Sequence, residues 1–146
     1  MLSSIIKQSK SDTRIYRHIT LPNKLQCLLI SDAEADKSAA ALDVHVGCSL
    51  DPRPLYGTAH FLEHMLFMGT KKYPSENEYA EFIKNNGGMN NAYTSLTNTN
   101  YHFDCANEAF EGALDRFAQF FLAPLLGESQ TEREMKAVDS EFNQSL

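Results

Sequence analysis

At 146 residues, with 42% hydrophobic and 22% charged residues, the chain can build one domain with a real core but not two full-sized ones. Its net charge of −6 and lack of a basic stripe exclude nucleic acid as a partner, and no apolar run reaches membrane-spanning length. Three widely spaced cysteines, Cys27, Cys48 and Cys105, form no Cys-x-x-Cys pair and read as reduced thiols of a reducing compartment.

The first thirteen residues read as a flexible lead-in. Over the first seventeen residues, Lys7, Lys10, Arg14 and Arg17 around a single Asp12 give a faint presequence character. A cytoplasmic location is expected, with a mitochondrial one as the alternative. Residues Arg14 to Thr20 and Leu25 to Ser31 predict two strands joined at Pro22-Asn23-Lys24, followed by a polar loop from Asp32 to Lys37. From Ser38 to Gly47 the chain alternates, with Leu42, Val44 and Val46 facing inward and an exposed His45 on the polar face. Asp51-Pro52-Arg53-Pro54 is a rigid connector. A helix then opens at Gly57-Thr58 and closes at Gly69.

A second helix starts at Pro74-Ser75, with Glu78 completing a capping box, and Gly87-Gly88 ends it at Asn86. Met89 to Ser95 and Asn100 to Cys105 predict strands around a turn at Thr97-Asn98. Asn107 caps a helix to about Leu122, with Phe110, Leu114, Phe117 and Phe121 inward and Pro124 beyond its end. A last helix begins after Thr131, with Glu134 as capping partner and Met135, Val138 and Phe142 as the stripe that docks it. The order βββαα ββ αα implies an α+β fold, a mostly antiparallel sheet covered by helices.

The first helix carries the chemistry. An α-helix turns about 100° per residue, so His60 and His64 lie roughly 40° apart, with Glu63 on the same arc. Two neutral imidazoles one turn apart grip a transition metal, zinc above all. Ala59, Phe61, Leu62, Met65, Leu66, Phe67 and Met68 predict a helix buried all round, where three ionisable groups need something to pair them. Catalytic zinc takes three protein ligands, and the final helix offers Glu134, Asp139 and Glu141 as the third, with a solvated acidic face as the bland alternative.

His60-x-x-Glu63-His64, followed far downstream by Glu134 and Glu141 in a Glu-x6-Glu pair, resembles the inverzincins of the pitrilysin/insulysin family. The stretches Ala40 to His45, Glu63 to Phe67, Gly69 to Pro74 and Glu111 to Phe117 are similar to the same family, and the likeness runs from about Tyr16 onward. The resemblance implies a zinc metalloendopeptidase domain over residues 14–146, incomplete at its C-terminal end. It implies zinc on His60, His64 and Glu141, with Glu63 as general base on the zinc-bound water and Glu134 behind a histidine ligand. It further implies that extended peptides, such as peptide hormones, pair with the Asn91-Ala92 segment, with Phe67 and Tyr93 lining the side-chain pocket. Asparagine suits a central strand poorly, which fits Asn90 to Thr94 as an edge. Family members close a substrate chamber with further homologous domains, so the chain reads as an N-terminal fragment of a longer peptidase. The alternative is a non-catalytic zinc- or peptide-binding remnant of such an enzyme.

Overall fold

The structure is a computed structural model that describes residues 6–144. The first five residues of the expected lead-in and the last two residues of the chain lie outside the described part. Two compact units form, divided between Asp36 and Lys37.

The first unit is a hairpin. Strand β1 (Ile15–Thr20) pairs antiparallel with β2 (Gln26–Ser31), with Ile15 opposite Ser31 and Thr20 opposite Gln26. The turn closes where the Leu21 amide bonds to the Leu25 carbonyl, and Lys24 takes a positive φ of 71°. Asp12 accepts hydrogen bonds from Arg14 and from the Tyr16 hydroxyl, which ties residues ahead of β1 to the strand.

The second unit carries everything else. Strands β3 (Lys37–Val44), β4 (Met89–Thr94) and β5 (Thr99–Ala106) form an antiparallel sheet in the order β3-β5-β4. In the middle strand Thr99, Tyr101, Phe103 and Cys105 are buried, while the residues between them lie on the other face. Helices α1 (Thr58–Leu66), α2 (Glu78–Asn85), α3 (Phe110–Leu122) and α4 (Glu128–Gln144) complete the unit. The α+β class and the order of elements are as the sequence predicts. All three cysteines are free thiols. Among the described residues no helix is long and apolar enough to cross a membrane.

The core is aromatic. Tyr79, Tyr101, Phe103, Phe117 and Phe120 are buried with Leu66, Ile83 and Ala113, and Phe67 and Phe121 pack against them. Tyr79 and Phe120 meet edge to face at 4.8 Å, as do Phe67 and Phe120 at 5.0 Å and Phe103 and Phe117 at 5.2 Å. Such pairs add about 0.5–1.5 kcal/mol each beyond the area they bury. Phe67 follows α1 directly, so this cluster anchors the C-terminal end of the histidine helix.

Several local expectations are corrected. Helix α1 is not buried all round: both histidines are half-buried because their side of the helix lines an open cleft, and Leu62, on another side, is 46% exposed. Ser75 and Glu78 form no capping box. Asn77 precedes the helix, and Glu78 pairs instead with Arg116 at 2.8 Å, whose guanidinium lies over the Phe82 ring. Asn107 accepts a hydrogen bond from Ser38 and heads a short 3-10 turn rather than capping α3. Leu114 is 40% exposed, and the inner face of α3 runs through Ala113, Phe117 and Phe120. Helix α4 starts at Glu128, four residues earlier than predicted, and the Thr131 hydroxyl bonds back to the Gly127 carbonyl. Of the predicted apolar stripe only Val138 is half-buried, while Met135 and Phe142 are exposed, so the stripe as a whole does not dock α4. Polar contacts hold it instead, as the site shows.

Candidate metal centre

The site begins with the ends of α1. Gly57 sits at φ 89°, and its amide and that of Ala59 donate to the two carboxylate oxygens of Asp51 at 2.7 and 2.9 Å. Asp51 thus answers two of the amides that a helix N-terminus leaves without partners, from six residues upstream. Beyond Phe67 and Met68, Gly69 takes φ 98°, and a Cβ there would stand 2.7 Å from the Pro74 carbonyl oxygen. Glycine is therefore required where the chain leaves the histidine helix.

Between these stops the one-turn spacing acts as expected. The His60 and His64 rings lie edge to face at 4.8 Å, with their Nε2 atoms 3.2 Å apart. Helix α4 crosses here and brings in its carboxylates. Glu141 Oε2 lies 3.3 Å from His60 Nε2 and 3.6 Å from His64 Nε2. Glu134, seven residues earlier and buried, places Oε2 3.2 Å from His64 Nδ1.

These contacts define a candidate donor set. A carboxylate accepts, so Nδ1 of His64 carries the proton shared with Glu134, and Nε2 turns a lone pair toward His60 and Glu141. Lone pairs that face one another at hydrogen-bond distance repel unless a proton on His60 Nε2 or a metal ion lies between them. Ligand atoms at about 2.0–2.1 Å from a tetrahedral zinc stand roughly 3.3 Å from each other. The three atoms here span 3.2–3.6 Å. Among the described residues His60, His64 and Glu141 are the group arranged to hold a metal ion, and two nitrogens with one oxygen suit zinc.

Two further networks set the carboxylates. Arg133 donates through Nε to Glu134 Oε1 at 3.3 Å and through its terminal nitrogen to Glu76 Oε2 at 2.8 Å. Gln130 also donates to Glu76, at 3.0 Å. The two carboxylates, Glu134 first and then Glu76, hold the Arg133 guanidinium above its ordinary pKa through these hydrogen bonds. Glu63 is 8% exposed and accepts a 2.5 Å hydrogen bond from the Thr94 hydroxyl.

An open cleft of about 640 Å³ unites these groups. His60, Glu63, His64, Phe67, Met68 and Glu141 form one side, and Cys48 with Asn90 to Thr94 forms the other. His60, His64, Glu141, Glu63 and the four contact residues Phe67, Asn91, Ala92 and Tyr93 therefore stand on one cavity, with Glu134 directly behind His64, while the other candidate ligand, Asp139, is exposed and lies off it. Strand β4 lies at the edge of its sheet, and there the Ala92 amide donates to the side chain of its neighbour Asn91 at 2.9 Å. Sequence reasoning missed Asp51, Thr94 and Arg133. No spacing rule links Asp51 to an amide six residues on, or Thr94 to Glu63, and Arg133 reads as any surface cation.

The family model for the insulinases, peptidase family M16, matches residues 26–146. Over 141 residues, 97% of the chain, the sequence is 55% identical to human insulin-degrading enzyme. It is 54% identical over 135 residues to a putative zinc protease of Schizosaccharomyces pombe. The crystal structure of pitrilysin superposes with a TM-score of 0.92 at 42% identity, covering 99% of this chain and 15% of that one. A protease from Helicobacter pylori superposes with a TM-score of 0.79 at 27% identity, over 87% of this chain and 30% of the other. The antiparallel sheet under helices is the architecture this chain shares with part of those proteases. The chain belongs to the insulinase family, peptidase family M16. It spans about 14% of the length of the curated relatives it matches.

Proposed function

We propose that this chain carries the metal centre and the general base of a zinc metalloendopeptidase acting on extended peptides. The observation that supports this best is the meeting of His60 Nε2, His64 Nε2 and Glu141 Oε2 beside the buried carboxylate of Glu63. Zinc, when bound there, supplies a Lewis acid that makes water acidic enough to attack a peptide at neutral pH. Glu63 takes up the proton released by that water and passes it on to the departing amine. Glu134 keeps the proton of His64 on Nδ1, so that Nε2 stays available as a ligand.

The edge of β4 is the proposed seat of the peptide. An extended segment adds there as a further strand, exchanging backbone hydrogen bonds with Asn91 and Ala92. The Asn91 side chain covers the Ala92 amide in the meantime, and an incoming carbonyl displaces it. Phe67 and Tyr93 line the same cleft and take a substrate side chain. Backbone pairing reads little sequence, which fits varied peptides, peptide hormones among them. The relatives are about seven times longer, and further homologous domains are proposed as the partners that enclose the substrate.

A quenched fluorogenic peptide assay on the purified chain, with and without zinc, tests the reading. Zinc-dependent cleavage that a chelator stops and Glu63→Gln removes is the expected result. One equivalent of zinc without turnover would leave a metal- and peptide-binding module instead.

A further inference from the structure

The peptidase reading leaves without a role the hydroxyl of Thr94 on the cleft and that of Thr99 beside it. Thr94, at the end of β4, donates through Oγ1 to Glu63 Oε2 at 2.5 Å. Thr99, at the start of β5 and 5% exposed, donates through Oγ1 to the Val46 carbonyl at 2.9 Å. The two hydroxyl oxygens are 3.3 Å apart. Thr94 and Thr99 are also directly opposed in the ladder, so the sheet itself sets their separation.

Counting protons decides the directions. Each hydroxyl owns one, and a carbonyl can only accept. Thr99 therefore spends its proton on Val46. A carboxylate likewise only accepts, so Thr94 spends its own on Glu63. None remains for the 3.3 Å contact, which is packing: Thr99, tethered to the loop after β3, backs the Thr94 side chain and holds it toward α1.

We propose that Thr94 is a positioning residue for Glu63. It pins Oε2 with a short charge-assisted bond and so leaves Oε1 as the oxygen that takes the proton of the attacking water. The need is physical. Glu63 comes from a helix and a glutamate has three free torsions, while proton transfer demands placement within about half an ångström. A donor on a sheet edge fixes that carboxylate against the strand on which the peptide is proposed to lie. Base and substrate then share one rigid reference. This inference rests on the peptidase reading for its consequence in turnover, but not for the geometry it asserts.

The test uses Thr94→Val, which keeps shape and strand propensity and removes the hydroxyl, beside Thr94→Ser, which restores it. In crystals of the valine variant the Glu63 carboxylate is expected in more than one rotamer, whereas the serine variant keeps the parent position. Zinc content by elemental analysis stays at the parent value in both. In the peptide assay kcat falls about 10- to 100-fold in the valine variant with KM little changed, and serine recovers most of it. A Glu63 side chain unmoved in Thr94→Val overturns the proposal, as does an unchanged kcat or a serine variant as impaired as valine. Should the parent show no turnover, the peptidase reading fails while the rotamer comparison still decides the role of Thr94.

Discussion

Each group at the metal site has a separate job set by what its second atom touches. His64 keeps one ring nitrogen free for a proposed metal because the other faces Glu134, and Glu134 is in turn held through its other oxygen by Arg133. Losing a ligand differs from losing a support. His64→Ala is expected to abolish zinc retention in dialysed protein, measured by elemental analysis; retained metal would exclude the site. Arg133→Ala leaves all three ligands in place but frees Glu134, and should weaken zinc binding about 10- to 100-fold in a competitive chelator titration. A change of affinity below twofold would show that Glu134 is placed without Arg133. These three residues were unequally legible in sequence. His64 follows from helical periodicity alone, and Glu134 shares a helix face with Glu141. The bond that makes Arg133 matter, to Glu76 on a distant segment, has no local signature.

Helix α1 is short, at nine residues, and a helix of that length does not hold itself together. Asp51 grips its first amides and Phe67 fixes its end in the aromatic cluster. Asp51→Ala is therefore expected to cost about 1–3 kcal/mol in urea unfolding, since it strips two amides of a charged acceptor. Helix α4 is held differently. Its stripe of Met135 and Phe142 faces solvent, and its attachments are Arg133 to Glu76, Gln130 to Glu76, and the two glutamates to the histidines. Periodicity located this helix and its inward glutamates but misjudged which side chains dock it. The reason is that an amphipathic pattern reports apolar spacing and not what stands opposite. The same limit explains the capping box at Ser75: Glu78 had the right spacing, but Arg116 sits near enough to take it.

At the scale of the whole molecule, the core and the ionisable surface respond to different perturbations. Phe103 is 1% exposed at the centre of the aromatic cluster, and Phe103→Ala is expected to cost about 3–5 kcal/mol, most of the stability of a small domain. Acid acts elsewhere. Hydrogen bonds from Lys72 and then Tyr73 hold Asp115 below its ordinary value, and Lys37 does the same to Asp104. A carboxylate whose folded pKa is depressed stabilises fully above its unfolded value of 3.8 and loses that contribution as pH falls through the folded one. Thermal stability should therefore drop below about pH 4, and Asp115→Asn should flatten that drop. At the alkaline end, burial raises the Tyr79 and Tyr101 hydroxyls above their usual 10, so stability is lost as pH climbs past 10. Tyrosinate absorbance tracking unfolding rather than preceding it would confirm this.

What the amino-acid sequence determined by itself is the content of single elements. Helical and strand periods, glycine stops and the one-turn clamp of His60 and His64 all depend on neighbours along the chain, and local geometry makes them readable. What only the tertiary structure decided is which element meets which. That Glu141 is the carboxylate that reaches His60 and His64, that Thr94 reaches Glu63, and that Asp51 and Arg133 hold the helices of the site all depend on segments far apart in sequence. Their approach is fixed by the packing of the sheet and its aromatic core, where burial is collective and leaves no mark at the individual position.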